Sequence, residues 1–132
     1  MIYVIDDDPN IRNCLSLLLN CQGHDVTTCC SAVEFLEKYN NENIGCIFLD
    51  MMMPGMTGKE LYEVIKVRKI PLPVIFLTAD NELEVAVSLM QKGIFYYLTK
   101  PISPDKIIEK LNQALEYSRI IGEKLNLGQN QP

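Results

Sequence analysis

The chain reads as an α/β domain in which five short strands alternate with five helices, forming a parallel sheet covered on both faces. Three observations predict this. Apolar runs rich in β-branched and aromatic residues recur near 2–5, 25–29, 45–49, 73–77 and 95–98. Segments with the three-to-four-residue apolar spacing of helices separate them. The third and fourth runs, Ile47-Phe48-Leu49 and Val74-Ile75-Phe76-Leu77, are apolar at every position, as central strands buried on two faces require. Strict alternation of the two element types is the signature of a parallel sheet with helices on both sides.

The first run, Ile2–Ile5, leads straight into acids with no basic n-region or cleavage site, so it reads as a strand and not a signal peptide. Pro9 stands at a helix-starting position, and Ile11, Leu15, Leu18 and Leu19 mark the first helix. Gly23 and Gly93 fall where the first and fourth helices end, matching the preference for glycine just past a helix C-terminus. Ser31 can cap the second helix, which carries Val33, Phe35 and Leu36. Leu61, Val64 and Ile65 build the third helix, and Leu83, Val87 and Met90 the fourth. Ile107, Ile108, Leu111 and Leu115 build the fifth. From about Gly122 the chain is rich in Asn, Gln and Gly and loses apolar periodicity. The expected organisation is one domain over 1–121, with 122–132 a polar tail or the start of a linker.

Composition sets limits on function. With 132 residues, 48% hydrophobic and 22% charged, the chain has an ordinary globular balance and length enough for a full core. Twelve basic against 17 acidic residues give a net charge of −5, which argues against a nucleic-acid surface within this chain. No apolar stretch approaches the roughly 18–20 residues that span a bilayer, so a cytoplasmic location is expected. The five cysteines (Cys14, Cys21, Cys29, Cys30, Cys46) form no CxxC pair, and His24 is the only histidine. A zinc site is therefore poorly supported, and the cysteines read as reduced core hydrophobes. His24, beside Gly23, reads as a turn residue.

The chemistry gathers at strand ends. Asp6-Asp7-Asp8 follow the first run, Asp50 ends the third, Thr78 the fourth and Lys100 the fifth. In open α/β sheets, ligands bind beyond the carboxyl ends of the strands. Carboxylates about 5 Å apart at an effective dielectric near 20 repel by roughly 3 kcal/mol per pair. Something must offset that repulsion, and Mg²⁺ fits: a hard ion that takes one or two protein carboxylates and leaves room for phosphate oxygens. Asp8 is accounted for as a cap of the helix opened by Pro9; Asp6 and Asp7 are not. Asp50 stands before a Pro- and Gly-containing loop, Met51-Met52-Met53-Pro54-Gly55-Met56-Thr57-Gly58. Ionised beside a cation, it can attack a phosphoryl group as a nucleophile. Met51 and Met53 read as core filler, whereas the backbone carbonyl of Met52 is placed to reach the metal. Lys100 supplies a point positive charge for phosphoryl oxygens and Thr78 a hydroxyl hydrogen bond. Pro101 restricts Lys100 to an extended conformation.

These residues resemble the receiver domain of two-component response regulators, the CheY-like superfamily. The resemblance rests on Asp6-Asp7, on Asp50, Met53, Pro54 and Gly58 as D-x-x-M-P-x-x-x-G, on Thr78-Ala79 and on Lys100-Pro101. It covers Ile2 to about Tyr117. It implies a flavodoxin-like doubly wound sheet of strand order 2-1-3-4-5, often with a cis bond at Lys100-Pro101. It implies that Asp50 accepts a phosphoryl group from a phosphohistidine of a sensor histidine kinase or phosphotransfer protein. Mg²⁺, with Mn²⁺ as a substitute, would be held by Asp7, Asp50 and the Met52 carbonyl, and by Asp6 through water. Lys100 would pair with one phosphoryl oxygen and Thr78 with another. Tyr97 matches the family's aromatic switch, turning inward when Thr78 is drawn to the phosphoryl group. Met52 and Asp80 correspond to positions that tune phosphoryl lifetime in the family, and Asp80 is expected to help orient a hydrolytic water. Expected partners are the kinase, an effector domain beyond residue 132, and a second copy through the helix four–strand five–helix five face.

Other readings of the same edge fit less well. A haloacid-dehalogenase-like phosphohydrolase uses D-x-D, whereas Met52 stands at the second position after Asp50. A flavodoxin-like FMN protein needs a Ser/Thr/Gly-rich phosphate loop where this chain has Asp6-Asp7-Asp8-Pro9. A pseudo-receiver would keep the fold as a binding module without phosphotransfer.

Overall fold

The computed structural model describes residues 1–129, apart from the side chains of Asp80 and of residues 126–129. Five parallel strands lie in the order β2-β1-β3-β4-β5. They are β1 (Ile2–Ile5), β2 (Val26–Cys29), β3 (Cys46–Asp50), β4 (Val74–Thr78) and β5 (Tyr96–Thr99). The helices are α1 (Pro9–Cys21), α2 (Ala32–Lys38), α3 (Gly58–Val67), α4 (Leu83–Gln91) and α5 (Pro104–Gln129). A single 3₁₀ turn, Asp80–Glu82, precedes α4. The alternation of elements matches the apolar periodicity, and the strand order is the one the resemblance implies.

Side-chain parity along the strands builds two cores. Tyr3, Ile5, Ile47, Leu49, Val74 and Phe76 face one side with Phe35, Leu61, Ile65, Ala86 and Leu89 of α2, α3 and α4. Ile2, Val4, Cys46, Phe48, Ile75 and Leu77 face the other with Leu15, Leu19, Ile107 and Leu111 of α1 and α5. Every residue of β1, β3 and β4 is buried, whereas the edge strands β2 and β5 are mostly half-buried. Burying one such aliphatic or aromatic side chain contributes about 1.5–3 kcal/mol, so the three central strands dominate the fold's stability. Tyr3 sits wholly inside, and its hydroxyl donates to the Glu42 carboxylate at 2.8 and 2.9 Å.

Local chemistry sets the helix ends. The Asp8 carboxylate accepts from the Asn10 amide at 2.9 Å, and Pro9 follows as the sequence suggested. Ser31 accepts from the Glu34 amide at 3.1 Å. Thr57 and Glu60 close a reciprocal capping box on α3. Gly23 (φ 86°) and Gly93 (φ 107°) adopt the left-handed conformation past α1 and α4.

Two expectations need revision. The cysteines are all free, and Cys29 and Cys46 are buried core residues, but Cys14, Cys21 and Cys30 are exposed. The inward stripe of α1 is already filled by Leu15 and Leu19, which leaves its two cysteines on the solvent side. Helix α5 also continues past Gly122 to Gln129, beyond the point where apolar periodicity fades. Gly122 is buried there: a side chain on it would run into Ile44 and the Asn43 carbonyl. Upstream, the buried Ser118 hydroxyl accepts from the Gly45 amide at 2.9 Å. These two contacts tie α5 to the segment that enters β3. Residues 130–132 lie outside the described residues. Among the described residues no helix is long and apolar enough to cross a membrane.

Candidate functional site

Past the carboxyl ends of β1, β3 and β5, backbone hydrogen bonds to β2 and β4 carry the sheet's register into the loops. The Asp6 amide donates to the Cys29 carbonyl at 3.1 Å, Met51 to Leu77 at 3.0 Å, and Lys100 to Thr78 at 2.8 Å. The first residue past β1 and past β3, and Lys100 past β5, are thereby each fixed to a neighbouring strand.

Asp6, Asp7 and Asp50 converge so that one carboxylate oxygen from each lies within 4.8 Å of the others. Asp6 is fully buried, Asp50 is 5% exposed, and Asp7 faces solvent. Asp6 and Asp50 continue the parity of Val4 and Phe48, placing them on the α1–α5 side of the sheet. The Lys100 ammonium reaches the same place from β5, 3.1 Å from Asp50 Oδ1 and 3.2 Å from Asp6 Oδ2. The Lys100–Pro101 peptide bond is cis.

The charges do not balance, since three carboxylates face one ammonium. Asp6 Oδ1 accepts from the Asp8 amide at 2.9 Å. Among the described residues, Asp6 Oδ2, though buried, meets Lys100 as an ion pair and accepts no aligned hydrogen bond. Burial and the charge of Asp6 push the Asp50 carboxyl up to about 7, against the opposing pull of Lys100. Burial would lower the Lys100 pKa, but its bond to Asp50 and the fields of Asp50 and Asp6 outweigh that and raise it. A hard divalent cation suits this donor set: carboxylate oxygens only, one of them buried without an aligned donor, and net negative charge to neutralise.

The loop after Asp50 is shaped by a close approach. The Gly58 amide donates to the Met51 carbonyl at 3.0 Å. A Cβ on Gly58 would collide with the Asp50 carbonyl oxygen and lie 3.0 Å from the Asp50 carbonyl carbon and Met51 Cα. Only glycine lets the N-terminus of α3 press against the acceptor's backbone. Met51 and Met53 are 3% and 5% exposed and fill the core as expected, while Met52 is 60% exposed.

Thr78 is fully buried at the end of β4, and its hydroxyl donates to the Ala79 carbonyl at 3.0 Å. It shares the parity of Phe76 and Val74, on the α2–α4 side. Tyr97 is half-buried on the same side, paired across β4–β5 with Phe76, while Thr78 pairs with Thr99. Asp80 opens the 3₁₀ turn; its side chain lies outside the described residues. Sequence reasoning missed Arg12, whose Nη1 donates to the Asp6 carbonyl at 2.8 Å and so braces the acidic turn from α1. A basic residue six positions after the acid carries no motif that would have flagged it.

The chain is similar to known proteins in sequence and in fold. The response regulator receiver domain family matches residues 2–112. The curated regulator TdiR of Thauera aromatica is 33% identical over 125 residues, covering 95% of this chain and 55% of TdiR. The DNA-binding transcriptional regulator NtrC of Escherichia coli strain K12 is 35% identical over 132 residues, all of this chain but 28% of NtrC. The chain thus spans a little over half of one such relative and little more than a quarter of the other. Among solved structures, the receiver domain of NtrX from Brucella abortus superposes with a TM-score of 0.82 at 30% identity, covering 88% of this chain and 98% of that one. With sheet order, acidic edge and family match in agreement, this chain belongs to the response regulator receiver domains of two-component signalling.

Proposed function

We propose that this domain receives a phosphoryl group on Asp50 from the phosphohistidine of a sensor histidine kinase or phosphotransfer protein, in a Mg²⁺-dependent step. The observation that carries the reading is the convergence of Asp6, Asp7 and Asp50 within 4.8 Å beside a lysine 3.1 Å from Asp50. Asp7, Asp50 and the Met52 carbonyl would hold the ion, with Asp6 engaged through water. When bound, Mg²⁺ or Mn²⁺ supplies positive charge for the phosphoryl oxygens and keeps the carboxylates ionised. An Asp50 carboxylate oxygen attacks phosphorus; the N–P bond breaks, and its electron pair stays on the donor imidazole. Lys100 transfers its ion pair from Asp50 to a phosphoryl oxygen, and Thr78 turns its hydroxyl from Ala79 to another. Hydrolysis reverses the modification, with Asp80 orienting the water and Met52 modulating access.

In this reading the domain is no general enzyme: it catalyses only its own phosphorylation and dephosphorylation. Tyr97 turns inward as Thr78 moves, changing the α4–β5–α5 face presented to partners or to a second copy. The domain works in the cytoplasm. Residues 122–132 lead toward an effector domain, a reading supported by the match to little more than a quarter of NtrC, a DNA-binding regulator. No nucleic acid is contacted by this domain itself.

Intact mass after incubation with acetyl phosphate tests the proposal, with and without Mg²⁺, on wild type and Asp50→Asn. A Mg²⁺-dependent gain of one phosphoryl group, lost in the variant, is expected. Absence of both an adduct and beryllofluoride binding in the wild type would instead favour a binding module without phosphotransfer.

A further inference from the structure

We infer that Lys110 and Tyr96 form a latch that holds Tyr97 in its resting position, so that α5 sets the basal bias of the switch. The inference rests on the reading of Tyr97 as the mobile aromatic.

Consecutive strand residues point to opposite faces. Tyr96 accordingly packs toward the α1–α5 core and Tyr97 toward the α2–α4 core. Yet their rings stack, with centroids 5.8 Å apart and planes inclined by 13°. Rings of opposite parity meet this way only by bending round a free sheet edge, and β5 is that edge. The Lys110 ammonium lies 4.0 Å from the Tyr96 ring centroid, well within the roughly 6 Å reach of a cation–π contact. It is steadied there by donating to Gln113 Oε1 at 3.3 Å.

A cavity of about 600 Å³ borders the pair, lined also by Leu83, Thr99 and Lys106. No close-packed wall fixes the rings on that side, so the stack and the cation carry their placement. Tyr97 shares its face with Thr78, one strand over; turning toward Thr78 separates it from Tyr96 and gives up the stack. Lys110 acts through Tyr96 and is a positioning residue. Its charge favours the ring orientation on which Tyr97 rests. Coupling between two sites is reciprocal, so whatever loosens this latch strengthens phosphoryl-analogue binding at Asp50 as far as it raises the fraction with Tyr97 turned inward.

The test uses the whole chain, with two readouts. The first is the affinity for beryllofluoride in the presence of Mg²⁺. Lys110→Ala is expected to tighten it by about three- to tenfold, while Lys110→Arg, which keeps the cation, retains the wild-type value. The gain should vanish in a Tyr97→Ala background, which a merely structural role for Lys110 would not produce. The second readout is the ¹⁹F resonance of 3-fluorotyrosine at Tyr97 in the ligand-free protein, which Lys110→Ala should shift and Lys110→Arg should not. The latch is overturned if folded Lys110→Ala leaves the resonance in place, or if its affinity gain persists without Tyr97. Were the wild type to bind no beryllofluoride, the assignment of Asp50 would fail, and the resting resonance alone would still decide the latch.

Discussion

Replacing Asp50 by asparagine should stabilise the metal-free protein at neutral and alkaline pH. The carboxyl is pushed up from 3.8 to about 7, first by burial and then by the charge of Asp6. Its folded-state pKa therefore lies above its unfolded one, and between about pH 4 and 7 the native state binds the extra proton. Stability contributed by that proton is present at low pH and lost as pH rises through 7. A shift of this size, at about 1.4 kcal/mol per unit, caps the penalty near 4 kcal/mol. Two effects reduce it: the asparagine Oδ1 accepts from the Lys100 ammonium more weakly than the carboxylate does across the 3.1 Å contact, and the effective dielectric even of buried sites is near 20. The expected net gain for Asp50→Asn is about 1–3 kcal/mol at about pH 8, shrinking toward zero near pH 4. Urea unfolding in EDTA across this range measures it directly. Saturating Mg²⁺ should then narrow the gap by stabilising the wild type more than the variant. An Asp50→Asn variant less stable than wild type at about pH 8, or a difference independent of pH, would refute the account of Asp50 as a buried, poorly compensated charge.

Three further outcomes follow from the geometry. Gly58→Ala should destabilise the fold by about 1–3 kcal/mol in urea unfolding and lower phosphoryl uptake, because its Cβ displaces the Asp50 carbonyl. Asp8→Ala should cost about 1 kcal/mol through loss of the α1 cap and leave uptake by intact mass unchanged. Lys100→Ala should destabilise the metal-free protein by about 1–3 kcal/mol at about pH 8, and less at about pH 5 where Asp50 is protonated, as thermal unfolding at the two pH values would show.

How much of this was legible in the sequence depends on the range of the interaction involved. The central strands were clear because Ile47–Leu49 and Val74–Leu77 are buried on both faces, which forces continuous apolar runs. The acids, Thr78 and Lys100 were legible because each interrupts such a run at its carboxyl end, where a charged or polar group needs a reason. Parallel pairing delivers those ends to one edge. What escaped notice depends on contacts that exist only once loops and helices are folded against one another. Arg12 bonding to the Asp6 carbonyl, and Ser118 receiving the Gly45 amide, look like surface polar residues until the helices are placed. The exposed Cys14, Cys21 and Cys30 misled because cysteine is usually buried, whereas helix phase turns the first two outward and the bend after β2 exposes the third. Gly122 reads as the start of a flexible stretch when only its neighbours in the chain are considered, yet Ile44 requires it to be small.

The anchorage of α5 changes where this unit can be cut. The family match closes at residue 112, a boundary drawn from resemblance. Mechanically the protein extends further. Shortening α5 ahead of Ser118 would strip the Gly45 amide of its acceptor, an orphaned buried donor costing about 1–3 kcal/mol. The loss would fall at the head of β3, the strand whose other end is Asp50. A module transplanted onto another output domain should therefore be joined beyond Gly122, where the helix no longer braces the acceptor strand.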